Sequence, residues 1–117
     1  RDRSPSRGLG DVYKRQITIT PESFIHDAYM FHKPKSRFVT IKKQDETPDI
    51  RVTFYDAAYL GIWAKPGAPY VCIEPWSGIN DFRGRAGQLS DKADMVSLET
   101  GEQYCFRYDI QVLPKKE

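Results

Sequence analysis

The sequence predicts an all-β protein, most simply a sandwich of mostly antiparallel strands. Short segments alternate apolar and polar residues with period two. Clusters of Pro, Gly and Asp separate these segments at strand-length intervals. Two Trp, seven Tyr and six Phe in 117 residues supply the aromatics that favour pleated, half-buried surfaces. A chain of this length makes one small domain. With 39% hydrophobic and 29% charged residues, it is not expected to be disordered throughout or collagen-like. No apolar run approaches the length of a bilayer span, so no membrane partner is expected.

The elements follow in order. Ile17-Thr18-Ile19-Thr20 alternates and predicts a short strand. Thr20-Pro21-Glu22 carries a helix-start pattern, with Thr as N-cap and Pro at the first helical position. Pro34 limits that helix to a turn or two. Residues 37–43 and 50–55 alternate on either side of a polar turn and predict an antiparallel hairpin. Residues 59–64 and 70–75 are more continuously apolar, the pattern of central strands covered on both faces. Lys65-Pro66-Gly67-Ala68-Pro69 joins them as a turn. Residues 78–93 have no period and predict a long loop. Residues 95–98 and 103–113 predict a closing hairpin around a Glu99-Thr100-Gly101-Glu102 turn. In its last strand Tyr104, Phe106, Tyr108, Ile110 and Val112 share one face.

Residues 1–16 stand apart. Asp11-Val12-Tyr13-Lys14-Arg15-Gln16 back-translates to GAT GTG TAT AAG AGA CAG, which resembles a transposase end used in DNA library preparation. The tract is read as adapter-derived and without stable structure, fused to a truncated reading frame. It carries five basic and two acidic residues, so the chain's net charge of +2 becomes −1, 13 basic against 14 acidic residues, without it. The remainder offers no electrostatic case for a nucleic-acid partner. Cys72 and Cys105 cannot build a disulfide framework and read as two buried thiols. With no secretory signal, a cytoplasmic location is expected.

Glu74 is the most informative candidate. It ends an apolar strand, and alternation puts Tyr70, Cys72, Glu74 and Trp76 on one face. A carboxylate in apolar surroundings is costly to ionise, which moves it toward the working range of a general base. Trp76 offers a stacking surface for a sugar ring. The plainer reading is a strand-end Glu, solvated or paired with Arg83 or Arg85. Asp27 reads by itself as a loop or cap aspartate, and Trp63 as core. His26 and His32 lack a third ligand nearby, so no metal is expected. The Gly84-Arg85-Ala86-Gly87 stretch cradles no phosphate by pattern, no cofactor motif is present, and Lys42-Lys43 and Lys115-Lys116 read as solvated charge.

Tyr59-Leu60-Gly61-Ile62-Trp63, Cys72-Ile73-Glu74-Pro75-Trp76, Gly78 and Asp81, taken in order, resemble the C-terminal part of the aldose 1-epimerase (galactose mutarotase-like) family, in its LacX-like branch. Asp27-Ala28-Tyr29 and Ser36-Arg37 fit the same order. Leu98-Glu99-Thr100-Gly101-Glu102 resembles the family's Leu-x-Pro-Gly-Glu turn, with Thr100 departing from it. The resemblance spans residue 17 to about residue 113. It implies a twisted sandwich, of which residues 17–117 are the C-terminal portion, with a concave face for a hexose or hexose phosphate. It makes Glu74 the general base in anomer interconversion and Asp27 a substrate-binding residue; Trp76 and Trp63 are expected within reach of the same hexose as further substrate-binding residues. It places the acid histidine and the sugar-binding arginine upstream of this chain, so the chain alone is expected to be inactive. The competing readings are a carbohydrate-binding sandwich without chemistry and a structural β-domain of a larger enzyme.

Overall fold

The computed structural model describes residues 16–81, 83–84 and 87–115. The expected unstructured tract lies outside the described residues except for Gln16, as do Arg85 and Lys116. The described chain is all-β, with six strands: β1 (Tyr29–His32), β2 (Phe38–Ile41), β3 (Asp49–Phe54), β4 (Tyr59–Trp63), β5 (Cys72–Trp76) and β6 (Tyr108–Leu113). They form two antiparallel three-stranded sheets, ordered β1-β4-β5 and β2-β3-β6.

Period two decides what each sheet buries. In the first sheet Tyr29, Phe31, Leu60, Ile62 and Ile73 share one side. In the second, Val39, Val52 and Phe54 share one side. All of these but Val52 meet in one cluster with Phe24, Ala57 and Ala64, so the core lies between the sheets. Phe54 is its largest fully buried side chain.

Arg37 ties the connections together. Its guanidinium donates to the carbonyls of Pro34, Phe54, Tyr55 and Ala57 at 3.1–3.4 Å and lies 4.9 Å from the Phe54 ring centroid. A planar fork with several fixed donors suits a loop crossing where carbonyls converge.

The 37–43/50–55 hairpin forms as expected, with Phe38 opposite Thr53 and Ile41 opposite Ile50. Strands β4 and β5 are neighbours joined by a turn in which Ala68 N–H donates to Lys65 C=O at 2.9 Å and Gly67 has φ 78°. Pro66 before a positive-φ glycine is the type II pattern. Among the described strands β4 is central and β5 lies at an edge, not in the centre. Pro75, which has no N–H for a ladder, is compatible with an edge.

Three expectations fail. Residues 17–20 form no strand; the chain enters a turn at once, and Ile17 packs against the core. Tyr29–His32, which the helix-start pattern obscured, is a strand. The closing hairpin does not form: the Glu99–Glu102 turn is present, but residues 95–98 and 103–107 are irregular and β6 pairs with β3 instead. Asp94 has φ 61°, outside strand geometry, and is fastened to the first sheet, whereas β6 belongs to the second.

Two smaller readings also change. Cys105 is exposed and Cys72 half-buried, so neither thiol is core. Lys115 is not merely solvated: its ammonium donates to Asp49 Oδ1 at 2.6 Å and to Lys43 C=O at 2.7 Å.

Asp49 is 7% exposed and also accepts the Lys43 N–H at 3.0 Å. The hydrogen bond from Lys115, then that from Lys43, pull its carboxyl down to about 2 from an ordinary value of 3.8. A lowered folded-state value gives stability that is present above the ordinary range and is lost as pH falls through the folded one. Urea midpoints should therefore decline between about pH 4 and pH 2. Asp49→Asn should start lower and show a smaller decline across that window; an unchanged decline would remove Asp49 from the account.

Candidate functional site

The side of the first sheet away from the core carries the unusual residues. Register places His32, Tyr59 and Trp76 in one row across β1, β4 and β5. The next row is Met30, Gly61 and Glu74, and Trp63 pairs with Cys72 in the row after.

Glu74 thus faces Gly61 directly, with Tyr59 and Trp63 as its diagonal neighbours on β4 at about 7–8 Å. Gly61 presents no side chain to Glu74, and the Met30 methyl packs over its buried backbone. A Cβ at Gly61 would lie 3.3 Å from Met30 Cε and 3.6 Å from Glu74 Cβ. Glu74 is half-buried, and Trp76 Nε1–H donates to its Oε1 at 3.2 Å. At the Trp63 end, Tyr70 lies 6.4 Å from Trp63 between ring centroids.

Sheet register therefore brings Glu74, Trp63 and Trp76 to one face. Asp27 lies outside the strands, two residues before β1, at the sheet end opposite His32. It is exposed, has φ 85°, and its Oδ1 accepts the Ala28 N–H at 2.7 Å.

The other end of the face holds a cluster with no signature in the sequence. Asp94 Oδ2 accepts the Tyr59 hydroxyl and His32 Nε2–H, each at 2.8 Å. Lys33 Nζ lies 3.7 Å from Asp94 Oδ1, and the His32 and Tyr59 rings stack at 4.6 Å. The Tyr59 hydrogen bond, followed by that of His32, holds the Asp94 carboxyl below its ordinary range. Burial, then the bond to Asp94, pushes the Tyr59 phenol up to about 12. Across the neutral range Asp94 is an acceptor and Tyr59 a donor.

Residues 87–94, irregular apart from a 3₁₀ turn at Leu89–Asp91, lead to Asp94 at the edge of this face. Sequence reasoning missed His32, Tyr59 and Asp94 because Asp94 sits in a stretch without period, 62 residues from His32 and 35 from Tyr59. The one available signal was the alternation in Tyr29–His32, which puts Met30 and His32 on one face. Among the described residues no cluster of three His, Cys, Asp or Glu is arranged to hold a metal ion. Nor is any helix there long and apolar enough to cross a membrane.

The chain is 31% identical over 118 aligned residues to the protein LacX of Lactococcus lactis subsp. lactis, in both its plasmid and chromosomal forms. The alignment takes in 93% of this chain, but the chain spans only 40% of the length of those relatives. No protein-family model matches the chain, and no solved structure matches it.

Proposed function

We propose that residues 17–117 are the C-terminal portion of a larger aldose 1-epimerase-like sandwich that interconverts the anomers of a hexose. Glu74 is its general base. The observation that carries this reading is the placement of Glu74, half-buried, across from Gly61 and diagonal to Tyr59 and Trp63 on the side of the sheet away from the core. Sugar rings present apolar faces that stack on aromatic rings, while a carboxylate between those rings meets the hydroxyls. The similarity to LacX over 93% of the chain supports the same reading.

In the proposed reaction Glu74 takes the proton of the anomeric hydroxyl. The C1–O1 bond becomes a carbonyl, the C1–O5 bond breaks, and O5 is protonated by a histidine acid. Rotation about C1–C2 presents the other carbonyl face. O5 then attacks, returns its proton to the histidine, and Glu74 returns the first proton to O1. Trp63, Trp76 and Asp27 position the ring.

His32 is a poor candidate for that acid. It stands two strands from Glu74, about 10 Å across the sheet and about 7 Å along it, with Nε2 committed to Asp94. The acid then comes from the part of a LacX-length protein that this chain does not match. The second sheet supports such a longer partner structure. Tyr108, Ile110 and Val112 lie on the same side as buried Val52 and Phe54, yet are 51%, 65% and 58% exposed. Further strands covering that row would bury it.

The same features also favour a second reading for the chain by itself: a carbohydrate-binding face that holds a base without its acid. Polarimetry separates the two. Joined to the amino-terminal part of Lactococcus LacX, the chain should speed mutarotation of fresh α-D-galactose or α-D-glucose above the spontaneous rate. Sugar binding without acceleration would leave the binding-only reading.

A further inference from the structure

Glu74 and Trp76 are same-face neighbours on β5, and the residue between them is Pro75. Proline fixes its own φ at about −65° and holds the residue before it in extended backbone. The offset between the two side chains is therefore set by covalent geometry as well as by packing. Across that offset the Trp76 indole reaches back and donates Nε1–H to Glu74 Oε1 at 3.2 Å.

Among the described residues no other group takes that part. In the row of Glu74, Gly61 has no side chain and Met30 presents a methyl. Tyr59, the diagonal neighbour with a hydroxyl, gives it to Asp94 at 2.8 Å. Trp76 is itself backed by a fixed residue: Tyr59, its cross-strand partner, is 4% exposed and stacked on His32.

A carboxylate turns readily about its last torsion, and its two oxygens are equivalent until a neighbour distinguishes them. The bond to Oε1 does so. It fixes the plane of the group and leaves the lone pairs of Oε2 for a substrate.

We propose that Trp76 is the positioning residue for the base: its N–H, and not only its ring face, serves the reaction by holding Glu74 so that Oε2 meets the anomeric hydroxyl. The proton passes from O1 to Oε2 as C1–O1 becomes a carbonyl. Oε2 returns it to O1 after the ring recloses, and the indole keeps its own proton throughout. The proposal rests on the reading that Glu74 is the base in hexose anomerisation.

Two measurements test it. In ¹H–¹⁵N spectra of the 117-residue chain, taken across the carboxylate range of pH, the Trp76 indole signal should move with a single titration. Glu74→Gln should abolish that movement, and the Trp63 indole is the internal control. A Trp76 signal that ignores Glu74 would overturn the proposal. The second measurement is kinetic, in the chain joined to the amino-terminal part of LacX. Trp76→3-benzothienylalanine keeps the bicyclic ring and puts sulfur in place of the N–H. Its kcat for mutarotation should fall about tenfold, the scale of one hydrogen bond to a charged group, with KM nearly unchanged. In a Glu74→Gln background the same replacement should lower kcat little further, because the two groups act as a unit. Trp76→Ala, which also removes the stacking surface, should raise KM as well. An unchanged kcat in the sulfur variant would overturn the proposal and leave Trp76 a stacking surface, with the base reading intact. A joined protein that fails to speed mutarotation, or a Glu74→Gln variant as active as its parent, would overturn that reading and the proposal with it.

Discussion

Glu74→Gln, made in the chain joined to the amino-terminal part of LacX, should lower kcat for mutarotation by about 10²-fold or more while sugar affinity stays nearly constant. Glutamine keeps the size of the side chain and an oxygen that accepts the Trp76 Nε1–H, which in the parent lies 3.2 Å from Oε1. What it loses is basicity. An interaction needed only as the anomeric proton departs lowers kcat and kcat/KM together, so KM should hardly move. Polarimetry on a fresh α-anomer, corrected for the spontaneous reaction, gives both constants. A variant that turns over like its parent would remove Glu74 as the base and leave the sheet face a binding surface.

Phe54→Ala should be the most damaging single change to the fold. Phe54 is 1% exposed, lies in the cluster that joins the two sheets, and has the Arg37 guanidinium 4.9 Å from its ring centroid. Truncating a buried Phe typically costs about 3–5 kcal/mol, the lost transfer energy plus that of the residual cavity. Small domains have only about 5–15 kcal/mol in total. The melting temperature should fall by more than about 10 °C. Ile110→Thr, on the same side of the same sheet but 65% exposed, is the matched control and should stay within about 0.5 kcal/mol. If the two variants lost equal stability, the core would not lie where the burial pattern puts it.

The contrast between Phe54 and Ile110 also explains what the sequence could reveal. Alternation in residues 50–55 and 108–112 correctly gave the faces, because side-chain direction in a strand is local. Whether a face is covered is a tertiary fact, and both segments read equally apolar. The β2–β3 hairpin and the β4–β5 pairing were legible because their turns are short and carry their own chemistry, as Pro66-Gly67 does. The closing hairpin misled for the opposite reason. Its turn is real, with Glu102 N–H donating to Glu99 C=O at 3.0 Å, but a turn does not specify a partner when β3 offers a full ladder to β6.

For the site, the Glu74–Trp76 half followed from period two and a short motif. The Asp94–Tyr59–His32 half was illegible. A long connection has no period to announce where its end will dock, and Asp94 gains its meaning only from two strands far away in sequence.

The central claim is that Glu74 accepts the anomeric proton. Its most direct test is a crystal structure of the joined protein soaked with the hexose that it turns over. The account predicts the sugar's O1 about 2.6–3.2 Å from a Glu74 carboxylate oxygen, with the ring against Trp63 or Trp76. A sugar bound with O1 turned away from Glu74 and toward another carboxylate would contradict it.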